Sequence, residues 1–186
     1  MENSERFAVI DTETNWDNAL MSIGVAIADG KTMRPLDAKY FIITPEFERG
    51  GIYEGSLFIV DKYEMLMRHE LESELTAYLE ANGIKRIIAY NARFNHWLLP
   101  ELSGYTWHDI MAVAAYRQFN KSIPDCADCY KTGRLKRGFG VEPILRMLSG
   151  ETNYFETHNA VVDALDELTI MRLLAHPISV YECAII

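Results

Sequence analysis

Residues 6–13 read RFAVIDTE, and the text resumes as MSIGVAIADG over 21–30 and DAKYFIITP over 37–45. The first run alternates and is rich in β-formers, which predicts a strand ending near Asp11. The next two predict second and third strands, with Asp29-Gly30 as the turn signal between them. KRIIAY (85–90) predicts a fourth strand and TWHDIM (106–111) a brief fifth. Helical spacing of Met65, Leu66, Leu71, Leu75, Tyr78 and Leu79 predicts a helix over 62–82, with Gly83 as its stop. Further helices are expected over 91–101, 112–119, 141–148 and 159–175, the last closed by His176-Pro177. Residues 121–140 carry turn signals and charge and read as a long loop. The predicted fold is α/β over residues 1–186 as one domain. Its mixed five-stranded sheet, three antiparallel strands then two parallel, is flanked by helices. In such sheets sites gather at the carboxyl ends of strands.

Bulk composition narrows the function classes. At 186 residues the chain can bury a large fraction of its unfolded surface. Apolar residues make up 49% and charged ones 24%, which excludes a disordered composition. No stretch approaches the roughly 18 apolar residues of a membrane span, so no membrane partner is expected. MENSERF lacks the basic and apolar regions of a secretory signal, and three cysteines suit a reducing compartment. The expectation is a cytoplasmic protein. A net charge of −9 counts against coating nucleic acid by neutralising many phosphates. It does not count against a site where acidic residues recruit cations that in turn meet a phosphate.

Three segments carry the chemistry. In DTET (11–14), Asp11 and Glu13 are two apart and project to one face just past an apolar strand. Paired carboxylates raise each other's pKa unless a cation sits between them, and hard oxygen ligands suit Mg²⁺ or Mn²⁺. In HNAVVDALDEL (158–168), His158 sits at the mouth of a helix and Asp163 about one turn inside. There His158 can act as a general base and Asp163 as a metal ligand; alternatively Asn159 is a plain N-cap and Asp163 a first-turn charge. In YNARFN (90–95), Asn91 is a candidate cap and Asn95 looks back toward the sheet end. Phe94 and Trp97 lie on the faces of that helix and read as core packing.

In order and spacing, DTET, YNARFN and HNAVVD resemble the three exonuclease motifs of the DEDDh 3′–5′ exonucleases, which include proofreading subunits, ribonuclease T and oligoribonucleases. The resemblance spans the whole chain. It implies a ribonuclease H-like fold and a two-metal site, with Mg²⁺ or Mn²⁺, that hydrolyses phosphodiester bonds at the 3′ ends of single-stranded DNA or RNA. By matching position it makes Asp11, Glu13 and Asp163 the ligands of one ion and His158 the base that deprotonates water. Asn95 falls where the family carries a fourth acid, and Tyr90 where many relatives carry histidine. An amide offers one neutral oxygen, direct or through water, and adds an NH₂ donor, so a second ion is expected to bind more weakly. The alternative is a catalytically inactive module that binds nucleic-acid ends or a protein partner.

Other residues are candidates for strand contact. Thr12, Thr14, Asn91 and Phe94 belong to the motifs. Lys131, Arg134, Lys136 and Arg137 form the main basic cluster, flanked by Tyr130 and Phe139, which stack on bases or pack. CADC (126–129) has the spacing of half a zinc site and reads as two free thiols. CAII at residues 183–186 fits a prenylation box only formally, with no basic cluster before it. ISVYECAII is an apolar tail, a candidate for burial at a homodimer interface.

Overall fold

The computed structural model describes residues 5–186. Strands β1 (Arg6–Thr14), β2 (Leu20–Asp29) and β3 (Pro35–Thr44) form the antiparallel meander that their alternation predicts. β4 (Glu64–Met67) precedes helix α1 (Leu71–Ala81); β5 (Arg86–Ala89) leads into α2 (Ala92–Leu98). β6 (Thr106–Asp109) is followed by a single-turn α3 (Met111–Ala114), α4 (Val141–Ser149) and α5 (Ala160–Leu174). The sheet order is β4-β3-β2-β1-β5-β6, with β5 parallel to β1 and β6 parallel to β5.

Among the described residues the sheet therefore has six strands where five are expected. Residues 64–67 form an edge strand parallel to β3, and the helix begins only at Leu71. Met65 is exposed there, so its helical spacing with the residues of α1 is coincidence rather than a buried stripe. The expected helix over 112–119 also shrinks to α3, because the chain turns back at Tyr116, which pairs with Arg134. Phe94 and Trp97 are exposed rather than in the core, and Leu98 and Leu99 fill the space instead. The apolar tail lies on its own chain: Tyr181 and Ala184 are buried and Ile185 pairs with His108 at the free side of β6. It covers a sheet edge that would otherwise present unpaired backbone groups.

Alternation along β1 divides the molecule. Phe7 and Val9 join the core beneath α5, while Ala8 and Ile10 join the core beneath α1 and α2. Asp11 and Glu13 thus continue the α5 side and Thr12 the other. Across the ladder Asp11 pairs with Gly24 and Glu13 with Ser22. A Cβ at Gly24 would lie 2.0 Å from the Ala160 carbonyl oxygen and 2.2 Å from the Val161 nitrogen. Only glycine lets the first turn of α5 sit directly on β2. Gly24→Ala is expected to push that turn off the sheet and cost about 2–3 kcal/mol, read as a lower denaturant midpoint with an unchanged slope; a midpoint within error of the parent would show that the helix start can move freely.

Candidate active site

Three ligand-bearing side chains meet where β1 ends and α5 begins. Oxygens of Glu13 and Asp163 and a ring nitrogen of His158 all lie within 4.8 Å of one another. Asn159 makes this possible: its side-chain oxygen accepts from the Val162 N–H at 3.4 Å, starting α5 directly after His158. The run into His158 is held by α4. Arg146 donates to the Tyr154 carbonyl at 2.6 Å and lies over the Phe155 ring, and Glu142 accepts from the Glu156 N–H at 3.2 Å. His158 itself has φ +56°, a left-handed conformation that costs a non-glycine residue about 1–2 kcal/mol.

The electrostatics describe a site short of positive charge. Burial raises the Asp163 carboxyl to about 8, and the charges of Glu156, Glu13 and Asp166 push the same way. Burial and Glu156 raise Glu13 to about 7. Asp11 lies well above its ordinary range, from burial and then from Glu13 and Asp163. Asp163 is 2% exposed, and its Oδ1 has no hydrogen-bond partner. A divalent cation fits this donor set: it would supply the missing partner of that oxygen and turn repulsion between the acids into coordination. Burial lowers the His158 pKa, which keeps its imidazole neutral and able to accept a proton at neutral pH.

Two acids of the site had not been singled out in the sequence. Glu167 lies one helical turn beyond Asp163, is 2% exposed, and accepts from the Tyr90 N–H at 2.9 Å. Its carboxyl is raised well above the ordinary range by burial and then by Asp11. Its signal was the i, i+4 spacing from Asp163, which puts both on one face of α5. Glu156, two residues before His158, is after burial the largest influence raising the Glu13 and Asp163 carboxyls. No pattern in the sequence marks it.

The second motif is arranged differently from the other two. Asn95 is 1% exposed and lies on the α2 side of the sheet, outside the compact cluster. Its Oδ1 accepts from the Thr12 hydroxyl at 2.6 Å and its Nδ2 donates to the Tyr90 carbonyl at 3.1 Å. Both halves of the amide are thus used within the protein. Asn91 has φ +54° and makes no side-chain cap. The cap at this junction comes from Asp109 at the end of β6, whose Oδ1 accepts from the Asn91 and Met111 N–H groups at 3.0 and 2.9 Å. Thr12 is turned inward to Asn95, while Thr14 is partly buried at the end of β1.

The basic cluster splits as well. Arg134 stacks on Phe139, and that loop is tied to the second motif by the Tyr90 hydroxyl, which donates to the Phe139 carbonyl. Lys136 is paired with Asp128 at 2.9 Å, and Arg137 is exposed. Cys126 and Cys129 are free thiols, the latter accepting from Arg117.

No family model and no curated protein matches the chain. Solved structures do. The nuclease domain of 3′hExo, described as a DEDDh family member bound to rAMP, superposes with a TM-score of 0.61 at 13% identity, covering 92% of both chains. A 3′-exonuclease structure concerned with recognition of a histone mRNA stem-loop gives 0.61 at 12%, over 94% of this chain and 65% of that one. E. coli Exonuclease I with an oligonucleotide gives 0.61 at 12%, over 92% of this chain and 40% of that one. With its meander, parallel strands and α5 laid over the end of β1, the chain has the α/β, ribonuclease H-like fold of the DEDDh 3′-exonucleases.

Proposed function

We propose that this protein is a divalent-metal-dependent 3′–5′ exonuclease acting on single-stranded nucleic acid. The observation that carries the reading is the cluster of Glu13, His158 and Asp163, whose ligand atoms lie within 4.8 Å of one another and whose Asp163 carries a buried Oδ1 without a hydrogen-bond partner. Asp11, Glu13 and Asp163 would hold the cation, Mg²⁺ or Mn²⁺. Bound there, it supplies charge neutralisation of the phosphodiester and acidification of the attacking water. His158, kept neutral by burial, would take the proton of the attacking water as its oxygen bonds to phosphorus; the P–O3′ bond would break and the released 3′ oxygen would take a proton from solvent.

Exposed rings around the mouth support a single-stranded substrate. Trp16, two residues past DTET, is 64% exposed, and Phe155, just before Glu156, is 70% exposed. Bases stack on such rings without being read for sequence. Arg134 is the member of the basic cluster whose charge acts on the Tyr90 hydroxyl of the second motif. It supplies a phosphate contact beside the second motif, whereas Lys136 is already neutralised.

Asn95 supports a second reading, an end-binding module that does not cleave, because the fourth acid of the family is an amide engaged with Thr12 and Tyr90. Incubation with 5′-labelled single-stranded DNA and RNA, in Mg²⁺ or Mn²⁺, separates the two. Stepwise shortening that a blocked 3′ end prevents is expected. Retention of labelled strands without any shortening in either metal overturns the enzyme and leaves the binding module.

A further inference from the structure

Residues 45–60, between β3 and β4, form a strap that crosses the candidate site and is fastened at both ends. At one end the Asn15 amide donates to the Glu46 carbonyl at 2.9 Å and the Trp16 N–H donates to the Gly50 carbonyl at 3.0 Å. Gly51 lies so close to β1 that a Cβ there would stand 2.7 Å from the Thr14 carbonyl oxygen. At the other end the Asn159 amide donates to the Ser56 carbonyl at 2.7 Å, and Leu57 is buried. Phe47 and Val60 of the strap pack against Tyr40, Ile42, Ala160 and Val161, the core under the first turn of α5. The strap thus bridges the first motif to the third.

Between those fastenings it delivers one aromatic ring. Tyr53 lies flat on the His158 imidazole, with centroids 3.7 Å apart and planes 13° from parallel. Neither ring is fully buried, so general crowding does not force this arrangement. The stack covers one face of the imidazole and leaves a ring nitrogen on its edge within 4.8 Å of Glu13 and Asp163 oxygens. A histidine on a left-handed backbone at a helix mouth is otherwise free to rotate about its side-chain bonds and leave the site.

We propose that Tyr53 is a positioning residue: by stacking on His158 it fixes the imidazole toward the Glu13–Asp163 pair, so that the strap is part of the catalytic apparatus. The inference rests on the nuclease reading for its effect on turnover, but not for the stack itself. The interaction uses the face of the ring, so phenylalanine retains it and the tyrosine hydroxyl is dispensable.

The test compares Tyr53→Ala and Tyr53→Phe in the full chain. Tyr53→Ala is expected to lower kcat by about 10–100-fold with KM changed less than about threefold, because orientation of the base is lost and strand binding is not. Tyr53→Phe is expected to stay within about twofold of the parent. Independently of activity, the His158 ring protons in NMR spectra of the metal-free protein should be displaced upfield by the stacked ring in the parent and in Tyr53→Phe. They should return to ordinary positions in Tyr53→Ala. Unaltered kcat in Tyr53→Ala, or a Tyr53→Phe variant as slow as Tyr53→Ala, overturns the proposal. So do undisplaced His158 resonances in the parent. A parent that trims no strand while showing the displaced resonances removes the nuclease reading and leaves the stack established.

Discussion

Replacing Asp163 by Asn is expected to raise the melting temperature of the metal-free protein at about pH 8 while removing roughly 10³-fold or more of the phosphodiesterase activity proposed for it. Both follow from one atom. Asp163 Oδ1 is buried and unpartnered among acids, and the carboxyl is raised to about 8 by burial first and by Glu156 next. In the unfolded chain the same carboxyl ionises near its ordinary value of about 3.9. The folded state therefore binds more protons between those limits, and its stability declines as pH rises through that window. At the upper end the accumulated penalty is of the order of a few kcal/mol, shared with Glu13 because the two repel. The amide has no charge to desolvate, so the variant escapes its share. Thermal melts at about pH 5 and about pH 8, with and without Mn²⁺, check this. The parent should lose stability toward the higher pH and regain it with Mn²⁺, and Asp163→Asn should respond weakly to both. A variant that melts below the parent at the higher pH without metal would mean that this carboxylate is already satisfied by the protein. The lost activity corresponds to about 4 kcal/mol of transition-state stabilisation, reasonable for one ligand of a cation that carries the reacting phosphate.

Asn95→Asp puts an acid where the resemblance to the DEDDh exonucleases expects one, yet it is expected to destabilise the metal-free protein by about 3–5 kcal/mol. The donor that Asn95 gives to the Tyr90 carbonyl disappears, and a carboxylate oxygen faces that carbonyl instead. The Thr12 hydroxyl still donates to the remaining oxygen, but one hydrogen bond does not offset an ionised group that is 1% exposed beside an acidic site. Urea titration in chelator should show the loss directly. If position 95 can reach a cation, Mn²⁺ should return most of the loss and increase the rate; if it cannot, Mn²⁺ should stabilise parent and variant equally. A variant as stable as the parent in chelator would show that the Thr12–Asn95–Tyr90 arrangement is replaceable.

The legibility of this molecule in its sequence varied with the physics involved. The meander, the parallel pair and α5 were readable because burial on the two sheet faces writes an alternating or helical period into the residues themselves. β4 was not, since an edge strand with exposed methionines carries no such period, and its partner lies far off in the chain. Strand alternation pairs Asp11 with Glu13 and helix entry pairs His158 with Asp163, but only the resemblance of the ordered motifs to the DEDDh exonucleases joins the two pairs into one expected site. The structure gathers Glu13, His158 and Asp163 most tightly. Glu156 and Tyr53 depend on how a loop folds back, and nothing local encodes that. Asn91 was read as the cap at the second motif on residue type alone. The role falls instead to Asp109, which reaches the same backbone from the neighbouring strand 18 residues later.

Asn159 divides its amide, its oxygen starting α5 and its nitrogen holding the strap across 103 residues of chain. Contacts that close so long a loop form late in folding, after the local meander has nucleated the sheet. Because Leu57, Phe47 and Val60 add apolar packing to the hydrogen bonds of the strap, its opening is a sub-global event that would leave the sheet paired. Opening of the strap would free the His158 ring while the sheet stays paired, so folding of the sheet and orientation of the histidine are coupled only through the fastenings of residues 45–60.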